Sequence, residues 1–183
     1  MHRWLGLFRK GIALLRNYFK GHQSQEIYTR MENEIKLQTR TGADIPNFQS
    51  KELSIFEANQ APDLEHEWHP LEKRTAALPF YNCHGMTFAS RRTTVGDETV
   101  GLILTEDGYE EIPADKVLPG DTIVYYSIEG DPEHSGIVIT RPHSSPLNVP
   151  EVISKWGKYS ELHHLANMCP YTFAGAKYFR IIR

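Results

Sequence analysis

A chain of 183 residues, 40% hydrophobic and 23% charged, is long enough for one domain with a buried core and a short extension. Its net charge of −3 excludes the strongly basic composition typical of nucleic-acid-binding proteins. Two cysteines, Cys83 and Cys169, exclude a disulfide-rich scaffold, although one bridge between them stays open.

Residues 3–20 have the pattern of a basic amphipathic helix, which Gly21 is expected to end. Such a helix can lie on an anionic membrane surface, dock into a partner protein or pack on its own domain, and the sequence leaves all three open. Its apolar face is formed by Trp4, Leu5, Phe8, Ile12, Leu15 and Phe19.

Basic residues interrupt the apolar run of this N-terminal segment, and no small-residue cleavage site follows it. We therefore do not expect a conventional signal peptide. No stretch is long enough to span a bilayer. The protein is expected to be cytoplasmic, or exported without such a signal.

Residues 22–75 have the weakest pattern and predict a connector that wraps the core or links to it. A second helix is predicted over 26–37, followed by turn residues. His66 and His69 have a spacing that could suit a metal, but no further ligand stands nearby. We expect solvated loop histidines, and neither a metal nor a cofactor.

Residues 79–89 predict a short extended entry that turns into a helix. Asn82 is a favourable N-cap, because its side-chain oxygen can accept from the free N–H groups of the first turn. Cys83 would lie in that turn, where the helix dipole favours the nucleophilic thiolate form. Alone, such a cysteine is more often a buried structural residue.

From Val95 onward the pattern indicates strands separated by turns. An acidic hairpin is predicted over 98–112, and a tail containing His163 and His164 precedes the last strand. The predicted strands are 100–105, 109–112, 122–127, 134–140, 151–157 and 176–182.

The predicted architecture is α+β, with the cysteine-bearing helix packed on an antiparallel sheet and a helical extension at the N-terminus. The segments are the basic helix, 1–21, the connector, 22–75, and the catalytic domain, 76–183.

His134 opens a predicted strand directly after a turn, which would place its imidazole at a sheet edge. A strand histidine facing a helix cysteine can take the thiol proton and later protonate the leaving group. A third polar group usually orients the far ring nitrogen. Ser154 lies on the expected neighbouring strand, and His163 or His164 could fold back over it.

Other residues could complete the site. The backbone N–H of Cys83 can stabilise an oxyanion, with Asn82 at the helix start beside it. Tyr81 could add a hydroxyl donor or line the pocket, and Trp156 is either a pocket wall or a core residue. His84 adjoins Cys83 but is expected on a different side of the helix, so it is not assigned as the base.

Three segments, in order, resemble the NlpC/P60 and CHAP group of papain-like cysteine hydrolases. Residues 82–85 (Asn-Cys-His-Gly) resemble the group's helix entry, 118–125 its Pro-Gly-Asp strand entry and 134–139 its His-small-Gly strand. The resemblance covers roughly residues 78–160. It implies a papain-like fold, a Cys83 nucleophile, a His134 base and hydrolysis of a peptide or amide bond, often in peptidoglycan.

The third catalytic group departs from this resemblance. These families usually have His, Asn, Gln or Glu there, whereas the chain has Ser154. Either Ser154 would orient the ring, or His163 or His164 would do so from the following loop, and we prefer His164. The hypothesis is a cysteine peptidase or amidase with a thioester intermediate, or an acyltransferase with the same dyad. The alternative is a catalytically inactive papain-like scaffold that binds a membrane or protein partner through residues 3–20.

Overall fold

The computed structural model describes residues 33–55, 58–59, 66–142 and 148–182. The chain divides into two compact units, 1–33 and 34–183. The predicted basic helix and most of the predicted helix over 26–37 lie outside the described residues, and residues 34–37 are not helical. No helix among the described residues is long and apolar enough to cross a membrane.

The second unit is built on strands, with short helices packed against them. The α-helices that follow residue 80 are α1 (Cys83–Phe88) and α2 (Val100–Glu106). The strands are β1 (Asn47–Phe48), β2 (Glu72–Lys73), β3 (Thr94–Val95), β4 (Tyr109–Ile112), β5 (Thr122–Tyr126), β6 (Pro132–Val138), β7 (Glu151–Lys155), β8 (Glu161–Leu165) and β9 (Lys177–Ile181).

Seven strands form one antiparallel sheet in the order β2-β8-β7-β6-β5-β9-β4, and β1 and β3 form a small second sheet. The interior strand β5 (Thr-Ile-Val-Tyr-Tyr) is buried over its first four residues, because both faces of the sheet are covered there. The predicted α+β class with a large antiparallel sheet is confirmed.

The two faces of the sheet carry different cores, since successive side chains along a strand point to opposite sides. On the helix face, Val124 packs with Val100 and Leu104 of α2 and with Phe179. On the opposite face, Tyr125 belongs to the larger cluster. Its buried members are Ile112, Val117, Ile123, Tyr125, Val138, Val152, Trp156, Leu162, Ala166, Cys169 and Tyr178.

Part of the predicted connector contributes to the core. Leu37 and Ile45 pack against Ala89, Val95 and Ile103, beside α1 and α2. Strand β2 pairs with β8 at one edge of the large sheet. Residues 34–48 and 72–73 are therefore built into the same unit as the cysteine.

The predicted hairpin over 98–112 is wrong, because residues 100–106 form helix α2. The apolar residues Val100, Ile103 and Leu104 recur at helical spacing and bury one side of the helix. Asp107 is the C-cap, and Gly108 follows with a φ of 73°, which suits a left-handed helix end. The Asp-Gly pair ends a helix here instead of closing a hairpin.

The predicted tail after residue 157 is also wrong in part. His163 and His164 lie in strand β8, which pairs with β7 along its length. The segment Glu-Leu-His-His-Leu is short and has three polar residues, so its sequence alone does not indicate a strand.

Candidate active site

The cysteine lies where its local sequence predicts. Cys83 is the first residue of α1, and Asn82 is the N-cap, accepting from the Gly85 N–H at 2.9 Å. The Asn82 amide also donates to the Val95 carbonyl at 2.8 Å, which ties the helix start to β3. The Cys83 side chain is 5% exposed, and its backbone N–H belongs to the first turn, where helical N–H groups lack intrahelical partners.

His84 is fully buried on the helix face, between α1, β6 and the 3₁₀ turn Asp97–Thr99. Its Nδ1 lies 2.9 Å from Ser135 Oγ, and its Nε2 lies 3.1 Å from Asp97 Oδ1. Burial lowers the pKa of His84, but Cys83 and Asp97 outweigh that effect and raise the pKa to about 10. His84 was not assigned a role from the sequence, but its charge interacts with that of Cys83.

The His134 imidazole is buried rather than at an open sheet edge as predicted, although the pairing of β6 with β7 begins only at Gly136. Strand β6 lies between β5 and β7, and the His134 side chain is 0% exposed. Its ring stacks on Tyr171 with centroids 3.9 Å apart, and it lies 5.4 Å from the Tyr125 ring. Burial, together with His164 and His84, holds the pKa of His134 well below its usual range, so the ring is neutral.

Ser135 and His134 point to different faces of the sheet, although Tyr171, which stacks on His134, interacts with the charge of Cys83. Ser135 hydrogen-bonds Thr87 and His84 of α1, so its side chain points to the helix face. His134, one residue earlier, points to the opposite face with its cross-strand partner Tyr125. Neither ring nitrogen of His134 has a hydrogen-bond partner among the described residues. The structure therefore does not join the predicted dyad by a hydrogen bond.

Ser154 lies on β7 beside β6, as predicted, with Gly136 as its cross-strand partner. Its hydroxyl lies 2.7 Å from His164 Nε2, while His164 Nδ1 lies 2.8 Å from the Leu165 carbonyl. Because a carbonyl only accepts, Nδ1 carries the proton and Ser154 donates to Nε2. Burial lowers the pKa of His164 to about 4, so this ring is also neutral.

Ser154 and His164 thus satisfy each other, and neither orients His134 through a hydrogen bond among the described residues. Trp156 is a core residue of the opposite face, packed edge-on against His164 with centroids 5.7 Å apart. His163 lies 2.9 Å from Glu151, on the far side of the sheet from His164.

Tyr81 is held by a buried carboxylate that the sequence analysis missed. Its hydroxyl donates to Glu161 Oε1 at 2.7 Å. Arg91 donates to both oxygens of the same carboxylate, at 2.6 and 3.1 Å. The Tyr81 hydroxyl is therefore a structural donor in this arrangement, joining the segment that precedes α1 to strand β8.

Lys155 is a second buried cation on the helix face. Its side chain is 0% exposed, its ammonium donates to the Tyr159 carbonyl, and it lies 4.6 Å from the centre of the Tyr81 ring. Burial lowers the pKa of Lys155 to about 8, against the opposing attraction of Glu161 and Cys83. A lysine inside an apolar strand run was the one visible signal for this group. Asp97 carried no local signal.

No protein-family model, no curated protein and no solved structure matches this chain. Among the described residues, no group of three or more His, Cys, Asp or Glu side chains is placed to hold a metal ion. The functional argument therefore rests on the chemistry around Cys83.

Replacing Lys155 with methionine is expected to change how stability depends on pH. Between pH 8 and 10.5, the unfolded lysine holds a proton that the folded one has lost, so stability of the wild type rises with pH. Relative to Lys155→Met, the wild type should gain roughly 3 kcal/mol of unfolding free energy across this window. Urea denaturation of both proteins at several pH values measures the difference, and a pH-independent difference would contradict it.

Proposed function

We propose that this protein is a cysteine hydrolase, a peptidase or amidase in which Cys83 is the nucleophile. The observation that carries the proposal is the position of Cys83 at the start of an Asn82-capped helix, where its charge interacts with two buried basic side chains, His84 and Lys155. Helix N-termini and neighbouring cations stabilise thiolates.

A papain-like fold of the NlpC/P60 or CHAP type is part of the proposal. Its support is the order of parts, in which a cysteine helix precedes a Gly-Asp turn into β5 and then the adjacent antiparallel strand β6. The turn has a clear physical role. Gly120 has a φ of 96°, and Asp121 accepts from the Leu118 N–H at 2.7 Å while binding Arg180 through both carboxylate oxygens.

In the proposed reaction, the Cys83 sulfur attacks the carbonyl carbon of a peptide or amide, and the oxyanion faces N–H groups of the helix start. The amine leaves with the proton that the thiol gave up, and water hydrolyses the thioester, giving its hydroxyl to the acid and a proton back to the sulfur. Peptidoglycan is one substrate of this class. No cofactor takes part in these steps.

A catalytically inactive scaffold is the second candidate. It is favoured by the position of His134, whose ring lies on the opposite face under Tyr171 and has no hydrogen-bond partner among the described residues. In this case the function would be binding of a membrane or protein partner, through residues 3–20.

The hydrolase proposal is tested with an activated ester, 4-nitrophenyl acetate, on full-length protein in a Cys169→Ala background, which leaves Cys83 as the only thiol. We expect turnover, an acetyl adduct on Cys83 by mass spectrometry, and a loss of about 10³-fold or more in Cys83→Ala. Protein unfolded in urea gives the reactivity of an ordinary thiol. A native Cys83 that acylates no faster than this control would favour the scaffold.

A further inference from the structure

We propose that His84, held by Ser135 and Asp97, is the cation that pairs with the Cys83 thiolate, in place of His134. The inference deepens the proposed function and rests on its assignment of Cys83 as the nucleophile. The resemblance to papain-like hydrolases assigns the base to His134 on strand β6. His84 was set aside because it directly follows Cys83 on the helix.

A directed chain of hydrogen bonds determines which nitrogen of His84 is protonated. Thr87 Oγ1 donates to the Cys83 carbonyl at 2.9 Å, because a carbonyl can only accept. Ser135 Oγ donates in turn to Thr87 Oγ1 at 3.0 Å. With its hydrogen committed, Ser135 accepts from His84 Nδ1 at 2.9 Å. The Nδ1 atom therefore carries a proton.

The other ring nitrogen faces negative charge. His84 Nε2 lies 3.1 Å from Asp97 Oδ1, where a lone pair would be repelled by the carboxylate and a second proton is attracted. The two atoms form an ion-pair contact without an aligned hydrogen bond, so Nε2 has no hydrogen-bond partner among the described residues. A doubly protonated ring, with Nδ1 held by Ser135 and Nε2 turned towards Asp97, thus belongs to the residue that follows Cys83.

The proton balance is simple. The Cys83 S–H bond breaks and a bond between that proton and His84 Nε2 forms, so the net charge of the pair is unchanged. The Asp97 carboxylate, whose side chain is 50% exposed, offsets the new positive charge. Phe88 stacks on the His84 ring with centroids 6.3 Å apart and restrains its orientation.

The other charged or titratable groups around the pair do not replace His84. His134 comes from β6 and is neutral, and His84 itself is one cause of its lowered pKa. Lys155 comes from β7 and attracts the Cys83 charge, but its ammonium is engaged by the Tyr159 carbonyl and the Tyr81 ring. Lys155 is thus held towards Tyr159 and Tyr81, whereas the charge of His84 interacts with both Cys83 and Asp97.

The pairing is tested by reciprocity, since two coupled groups must change each other's titration equally. In full-length Cys169→Ala protein, the Cys83 thiolate is followed by ultraviolet absorbance and the His84 ring by ¹⁵N chemical shifts. His84→Gln should move the thiolate midpoint upward by about one pH unit or more, a tenfold loss of thiolate. Cys83→Ala and Asp97→Asn should each lower the His84 midpoint, and His134→Gln should leave both midpoints in place.

His84 is buried, so His84→Gln can fail to fold. Asp97→Asn changes a half-exposed side chain, so this variant is expected to fold. Together with Cys83→Ala, it tests the pairing through the His84 ¹⁵N midpoint even if His84→Gln does not fold. A neutral His84 ring at pH 7, or a thiolate midpoint that moves in His134→Gln but not in His84→Gln, overturns the pairing. If the protein turns over the ester while the His84 ring is neutral, the pairing is wrong but the hydrolase proposal stands. If the ion pair is present without ester turnover, the hydrolase proposal is wrong but the pairing stands.

Discussion

Replacing Gly85 with alanine is expected to destabilise the protein by about 3 kcal/mol or more, as severe overpacking does. A Cβ at this position would lie 1.8 Å from the Thr93 carbonyl oxygen and 3.2 Å from the Tyr81 Cβ. The contact is with the main chain of Thr93, which cannot rotate away as a side chain could. The Thr93 hydroxyl donates to Asn47 Oδ1 at 2.8 Å and holds the residue in place. The helix that carries Cys83 must therefore move away from its support.

Thermal and urea unfolding measure this loss, and Gly101→Ala is the matched control. Gly101 is exposed in helix α2, and a Cβ there would meet nothing within 4 Å. Alanine should raise stability at that position by about 0.5–1 kcal/mol, because it is the better helix former. Similar effects at the two positions would contradict the close approach at Gly85.

Replacing Glu161 with glutamine is expected to destabilise the protein by about 2–3 kcal/mol, because it leaves buried donors and a buried cation without their carboxylate. Glu161 is 2% exposed and accepts from Tyr81 and twice from Arg91. An amide keeps one oxygen, but its NH₂ group would face N–H donors of Arg91. Lys155 would also lose the negative charge of its cross-strand partner, Glu161.

The control for this prediction is Glu111→Gln. Glu111 forms an exposed ion pair with Lys177 at 2.9 Å, and such surface pairs are worth under about 1 kcal/mol. Urea unfolding of the two glutamine variants compares the same chemical change in buried and exposed settings. Equal losses would show that the Glu161 network contributes no more than a surface pair.

Short-range patterns predicted much of the fold. The N-cap at Asn82 and the helix start at Cys83 depend on neighbouring backbone groups alone, and both are confirmed. Strands β5, β6, β7 and β9 follow apolar runs bounded by turn residues and lie close to their predicted positions. Helix α2 was missed because it is only seven residues long, and a short run with four Val, Leu or Ile residues suits either a helix or a strand until packing selects one.

The site was less predictable, because its geometry depends on which face of the sheet each residue occupies. The sequence identifies Cys83, His134 and Ser154 as candidates, but a shift of one residue exchanges the faces of a strand. Ser135 faces α1, so His134 faces away, and that choice is made by long-range packing of the helix on β6.

By itself, the sequence determined the capped cysteine helix, the main strands and the α+β class, since these follow from local hydrogen bonding and periodicity. Only the tertiary structure decided which basic groups surround Cys83. Asp97 reaches His84 from the 3₁₀ turn that follows β3, and Glu161 faces Lys155 as its cross-strand partner once β7 and β8 pair. The charge of each buried group follows from those contacts, because burial and neighbouring charges set its protonation.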